Sequence, residues 1–180
     1  AVNLIALDRE IRAAREHAGG RGLIAVNIMR AVSEYAPYVR QACASGADAI
    51  VVGAGLPLDL PELVADYPEV ALIPILSEAR AVGLVMKRWQ RKGRLPDAIV
   101  IEHPRYAGGH LGAARIEDVN DPRFDFERVI PEIMALFDQM GIERGSIPVI
   151  AAGGINSPLR VRAALATGAS AVQVGTAFAV

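Results

Sequence analysis

Pro148-Val149-Ile150-Ala151-Ala152-Gly153-Gly154-Ile155 and, one unit later, Ala171-Val172-Gln173-Val174-Gly175-Thr176-Ala177 decide the fold. Each is a short apolar run that stops on glycine, and near-continuous apolar runs of this kind are what strands buried on both faces require. After the first run, Ser157-Pro158 supplies an N-cap and a first-turn proline, so a helix follows, and Gly168 stops it before the second run. The pattern is strand, glycine turn, helix, strand, glycine turn. Absent side chains at Gly153, Gly154 and Gly175 let backbone N–H groups approach an anion, and Thr176 adds a hydroxyl to the same place. Glycine turns also serve geometry alone, but two of them at matching strand ends point to a phosphate site.

Working outward, the same alternation runs through the chain. Apolar runs recur at Leu23–Ile28, Ala49–Val52, Val70–Leu76 and Ala98–Ile101, with helical patterns between them. Leu4 to His17 reads as a helix ended by Gly19-Gly20, with His17 in its last turn, where positive charge suits the carbonyl end. Tyr35, Val39, Ala42 and Cys43 share one helical stripe, which makes Cys43 a packed hydrophobe. Val82, Val85, Met86 and Trp89 form another stripe after an expected Ser77 N-cap. The segment Asp59 to Tyr67 predicts a short helix restricted by Pro57 and Pro61. In Phe126 to Met140 the period is strong, but Pro131 predicts a kink or a fresh start.

Repeated β-then-α units leave a choice between an open doubly wound sheet and a closed barrel. An open nucleotide-binding sheet usually carries its glycine fingerprint after the first strand, whereas barrels commonly build a phosphate site after strands seven and eight. Here the glycines follow the last two runs. The expectation is therefore an α/β TIM (β/α)8 barrel, of which this chain covers strands three to eight as a single domain over residues 1–180. A whole barrel takes about 250 residues, which agrees with two missing units. Six strands with both edges open are not expected to stand alone as a monomer, which favours reading the chain as a part.

The longest connection follows Ile101: Glu102-His103-Pro104-Arg105-Tyr106-Ala107-Gly108-Gly109-His110-Leu111-Gly112. Barrels keep their chemistry on loops after strands. His110, flanked by glycines, is free to project, and an imidazole with a reference pKa of about 6.5 can act as a base at neutral pH. His103, ahead of a proline, is expected to be structural or to support the site from behind. Glu102 either helps bind a ligand or pairs with Arg105 or Arg115.

Other classes are disfavoured. With 19 basic and 20 acidic residues scattered along 180, nothing attracts nucleic acid or an acidic membrane. A single cysteine forms no internal disulfide, and no apolar run reaches the ~20 residues of a membrane span, which fits a reducing, cytoplasmic setting. The expected partner is a small-molecule substrate, with no metal required, and a homodimer is compatible with the pattern.

Ala25-Val26-Asn27-Ile28-Met29, Val52-Gly53-Ala54-Gly55, Ala107-Gly108-Gly109-His110-Leu111-Gly112, Ile150-Ala151-Ala152-Gly153-Gly154-Ile155 and Ala171-Val172-Gln173-Val174-Gly175-Thr176 are similar, in order, to the motifs of the nitronate monooxygenase (2-nitropropane dioxygenase) family, which includes flavin-dependent enoyl-ACP reductases. The resemblance covers the chain from about Gly22 onward. It implies an FMN-binding TIM barrel in which Gly153, Gly154, Gly175 and Thr176 hold the FMN phosphate. It further implies that Gly108, Gly109 and Ala152 lie along the cofactor, that Asn27 is beside the flavin ring and that His110 is the catalytic histidine. The implied reaction is oxidation of alkyl nitronates or nitroalkanes with O2. The alternatives are NAD(P)H-dependent reduction of enoyl thioesters or quinones through the same flavin, or a non-catalytic or inactive barrel fragment. On the phosphate turns alone, an isomerase or synthase of a phosphorylated metabolite also fits.

Overall fold

The computed structural model describes residues 2–108 and 112–179. Helices and strands alternate in the order α1 (Val2–Ala18), β1 (Ala25–Met29), α2 (Tyr35–Ala44), β2 (Ala49–Gly53), α3 (Leu60–Leu63), β3 (Ala71–Leu76), α4 (Ala79–Gln90), β4 (Ile99–Glu102), α5 (Phe126–Gln139), β5 (Val149–Ala152), α6 (Pro158–Ala166) and β6 (Ala171–Gln173). The long connection from β4 to α5 contains three short 3-10 turns, Pro104–Tyr106, Ile116–Asn120 and Pro122–Phe124. All neighbouring strands pair parallel, and their order across the sheet is their order in the chain.

The two faces of this sheet settle the choice between open sheet and barrel. Ile50, Val52, Leu72, Leu76, Ile99, Ile101, Val149 and Ala151 pack in one cluster with residues of every helix. Val51, Ile75, Val100 and Ala152, the alternate positions, form a second cluster that includes no helix residue. A doubly wound sheet has helices on both faces, and a barrel keeps them all outside. Helices on one face only, with strands in chain order, are the arrangement of part of a TIM barrel.

The helix stripes fill the outer layer as their spacing requires. Val82, Val85, Met86 and Trp89 are all fully buried. The Trp89 indole N–H donates to the Pro57 carbonyl at 2.9 Å, so its one polar atom is satisfied inside the core. Cys43 is 4% exposed, and burial pushes its thiol up to about 11, in keeping with a packing role.

Polar clamps recur at the N-terminal strand ends, away from the glycine turns. Asp48, ahead of β2, accepts the Ile24 N–H at 2.7 Å and an Arg15 Nη2 bond at 2.9 Å. Asp97, ahead of β4, accepts the Leu72 N–H at 2.8 Å and the Arg94 guanidinium. Ser170, ahead of β6, accepts the Val149 N–H at 3.4 Å. Each ties the start of one strand to the strand before it.

Several local expectations change. β1 starts at Ala25 and not at Leu23: the Ile24 N–H goes to the Asp48 carboxylate, and Leu23 is 76% exposed. The N-cap of α4 is Glu78 and not Ser77. Ser77 is buried, its hydroxyl lacks a partner among the described residues, and a Cβ on Gly112 would collide with its side chain. α3 is a single turn, shorter than the Asp59 to Tyr67 span. α5 runs unbroken through Pro131, so there is no fresh start there: its apolar stripe, with Val129, Ile130, Ile133 and Phe137 buried, outweighs one missing N–H.

Candidate functional site

The C-terminal ends of β4, β5 and β6 meet around one hollow of about 370 Å³, lined by Glu102, Gly108, Gly153, Gly154, Gly175 and Thr176. Five of the expected cofactor contacts thus lie together, although they come from three separate units. Ala152 sits just behind, 1% exposed, in register with Glu102 on one side and Gln173 on the other. Asn27 does not reach this hollow. It lies mid-strand in β1 at the far edge of the sheet, exposed, in register with Val51 of the helix-free cluster, and so shares the concave face. Gly109 and His110 lie outside the described residues.

Local sequence explains the shape of the cradle. Gly153 and Gly154 have φ of +99° and +68°, the left-handed region that disfavours a Cβ. A Cβ on Gly153 would stand 3.2 Å from both the backbone N and O of His103, and one on Gly154 would stand 3.0 Å from the Tyr106 ring. Glycine is needed here both for torsion and for close approach. Ser157 then caps α6 as expected, its hydroxyl accepting from the Arg160 N–H at 3.4 Å, with Pro158 in the first turn.

The donors suit an anion. Among the described residues, the backbone N–H groups of Gly153, Gly154, Ile155, Asn156, Gly175 and Thr176 donate to no backbone acceptor. Such free amides beside a helix start favour negative charge. Among the described residues no Lys or Arg lines the hollow itself; the nearby Arg160 donates from Nη1 to the Gly154 carbonyl at 2.8 Å. Among the described residues, Glu102 is the one acidic side chain that lines the hollow. It makes no ion pair with Arg105 or Arg115 among the described residues, and burial pushes its carboxyl above the ordinary range. A protonated Glu102 would donate a hydrogen bond and spare the hollow a second negative charge.

Behind the turn lies a polar group that sequence reasoning did not assemble. His103 Nε2 is 3.2 Å from Asp125 Oδ1, and its Nδ1 accepts the Arg105 N–H at 3.2 Å. Asp125 directly precedes α5, a position whose residue type signals a helix cap, and nothing in the sequence linked it to His103. Gln173 and Asn156 also line the hollow, and no motif singled out their side chains as ligand contacts.

A sequence model of the family described as "Nitronate monooxygenase" matches residues 5–180. A nitronate monooxygenase from Pseudomonas aeruginosa is 45% identical over 83 residues, which cover 46% of this chain and 20% of that protein. An indole-3-glycerol phosphate synthase from Aeropyrum pernix is 33% identical over 84 residues, 46% of this chain and 31% of that protein. The matched part spans less than a third of each of these curated relatives. Among solved structures, FabK from Thermotoga maritima superposes with a TM-score of 0.67 at 24% identity, covering 96% of this chain and 47% of its own. A nitroalkane oxidase from Streptomyces ansochromogenes superposes with a TM-score of 0.71 at 18% identity, covering 97% and 55%. At these identities the structural likenesses speak for the fold.

Proposed function

Because the chain belongs to the nitronate monooxygenase family, we propose that it is, or is part of, an FMN-dependent oxidoreductase that oxidises alkyl nitronates or nitroalkanes with O2. The observation that supports this most is the hollow at the ends of β4 to β6, where glycine turns from two adjacent units present unpaired amides and Thr176 a hydroxyl. In this reading the six strands are strands three to eight of a (β/α)8 barrel, and residues 1–180 form a single FMN-binding domain that works in the cytoplasm on a small molecule.

The donor set fits a phosphate, because it is built from backbone N–H groups, two of them on the left-handed Gly153 and Gly154, with no acidic side chain on the turns themselves. Gly153, Gly154, Gly175 and Thr176 would hold that phosphate. Gly108, Gly109 and Ala152 would lie along the cofactor, and Asn27, on the concave face, would stand beside its ring. When bound, FMN supplies the two-electron redox chemistry, with O2 as the terminal oxidant. The chain's own tasks are to orient the substrate, to exclude water and to move a proton. His110 would take the acidic proton from the carbon next to the nitro group. The second relative's name, indole-3-glycerol phosphate synthase, is in keeping with a phosphate cradle.

His110→Ala or His110→Asn in the intact protein should abolish nitroalkane turnover while FMN remains bound. Turnover at the wild-type rate would refute the assignment. Anaerobic mixing with NADH or NADPH separates this reading from a reductase of enoyl thioesters or quinones: rapid bleaching of the flavin would favour the reductase, and an unchanged spectrum the oxidase.

A further inference from the structure

The Gly153-Gly154 turn is a partition. On one side it faces the hollow of about 370 Å³, and on the other it closes a smaller cavity of about 220 Å³ bounded by His103, Tyr106, Asp125 and Arg160. We infer that His103, locked by Asp125, is a positioning residue that sets the geometry with which this turn receives a phosphate. The inference rests on the FMN reading above and adds a residue pair to it.

The hydrogen bonds fix the imidazole. The Arg105 backbone N–H points at Nδ1, so Nδ1 is the bare nitrogen and Nε2 carries the proton that it donates to Asp125 Oδ1. This tautomer follows from the network around the ring. The His103 side chain is 10% exposed, with the Tyr106 ring centroid at 5.4 Å and the Phe126 ring edge-on at 6.1 Å. Asp125 stands where a carboxylate would normally cap α5, yet its side chain makes no capping bond. It forgoes that capping contact and holds the ring instead.

The ring in turn is tied to the glycine turn through backbone. The His103 N–H donates to the Ala152 carbonyl at 3.0 Å, and Gly153 rests on the His103 N and O so closely that a Cβ there would stand only 3.2 Å from both. The next residue, Gly154, lies against Tyr106 and is gripped by Arg160 through its carbonyl. Releasing the imidazole from Asp125 would loosen its bond to the Arg105 N–H and so the chain turn that carries the His103 peptide on which Gly153 sits, and with it the amides that face the hollow. Asp125, His103, the end of β4 and the phosphate turn form one mechanical chain.

The test compares two ligands in the intact, deflavinated protein: FMN, and riboflavin, which has the same ring system and no phosphate. Asp125→Ala should weaken FMN binding about tenfold, corresponding to ~1.4 kcal/mol, and leave riboflavin within about twofold of wild type. Asp125→Asn keeps an oxygen for the Nε2 proton and should restore FMN binding to within about twofold. His103→Asn keeps an acceptor for the Arg105 N–H but cannot reach Asp125, and so should repeat the Asp125→Ala result if that variant does not fold. Equal weakening of both ligands, or weakening of neither, would overturn the inference and leave the pair a purely structural one. A wild-type protein that binds riboflavin as tightly as FMN would overturn the phosphate reading itself, and the inference with it.

Discussion

Gly153→Ala, compared with Gly168→Ala, isolates the close approach from the torsion. The two glycines have nearly equal φ, +99° and +102°, so an alanine at either one carries a similar left-handed penalty of ~1–2 kcal/mol. Their surroundings differ. The nearest atom to a Cβ on Gly168 is Ile130 Cγ2 at 3.8 Å, an ordinary contact, whereas a Cβ on Gly153 meets backbone N and O of His103 at 3.2 Å. Backbone cannot rotate away as a side chain can, so the turn or β4 must move, at a further cost of about 1–3 kcal/mol. Gly168→Ala should therefore lose about 1–2 kcal/mol of stability and Gly153→Ala about 2–5 kcal/mol, as read by urea unfolding of the intact protein. FMN titration gives the second axis: Gly168→Ala should bind as wild type, and Gly153→Ala should bind more weakly. Equal stability losses with unchanged FMN affinity in both variants would refute the claim that Gly153 exists for close approach at a ligand cradle.

Two further predictions concern the scaffold. Trp89→Ala removes the largest fully buried side chain and its bond to the Pro57 carbonyl, and should cost about 3–5 kcal/mol in denaturant unfolding. Asp48→Asn tests the clamp at the N-terminal strand ends. The Asp48 carboxyl is held below its ordinary range first by the Ile24 N–H and then by Arg15, so its contribution is present at neutral pH and is lost as pH falls from the ordinary carboxylate range through the depressed native value. The variant should lose about 1 kcal/mol at pH 7 and show a shallower fall in stability in acid than wild type.

The repeat of apolar runs and glycine stops made the parallel sheet legible, because strands covered on both faces leave little room for polar residues. Gly153, Gly154 and Gly175 were legible as a pair of turns for the same reason: each stands where an apolar run ends. What sequence spacing could not supply was depth. By residue type Asp125 suits a helix cap, but no motif singled it out, and only the folded β4 to α5 connection carries it to His103. Ser77 reads as a cap as well, yet Gly112 packs over it and hands the position to Glu78. For Glu102 the sequence left ligand binding and pairing with Arg105 or Arg115 open; Arg105 instead lies over the Tyr106 ring at 5.6 Å, leaving Glu102 half-buried without an ion-pair partner among the described residues.

The most direct measurement is the visible spectrum of the intact protein as purified, followed by identification of any flavin released on denaturation. An FMN-binding chain should be purified as a yellow protein that releases FMN, and neither FAD nor riboflavin, at one per chain. A protein that remains colourless after incubation with FMN, or that releases a flavin with no terminal phosphate, would contradict the FMN reading.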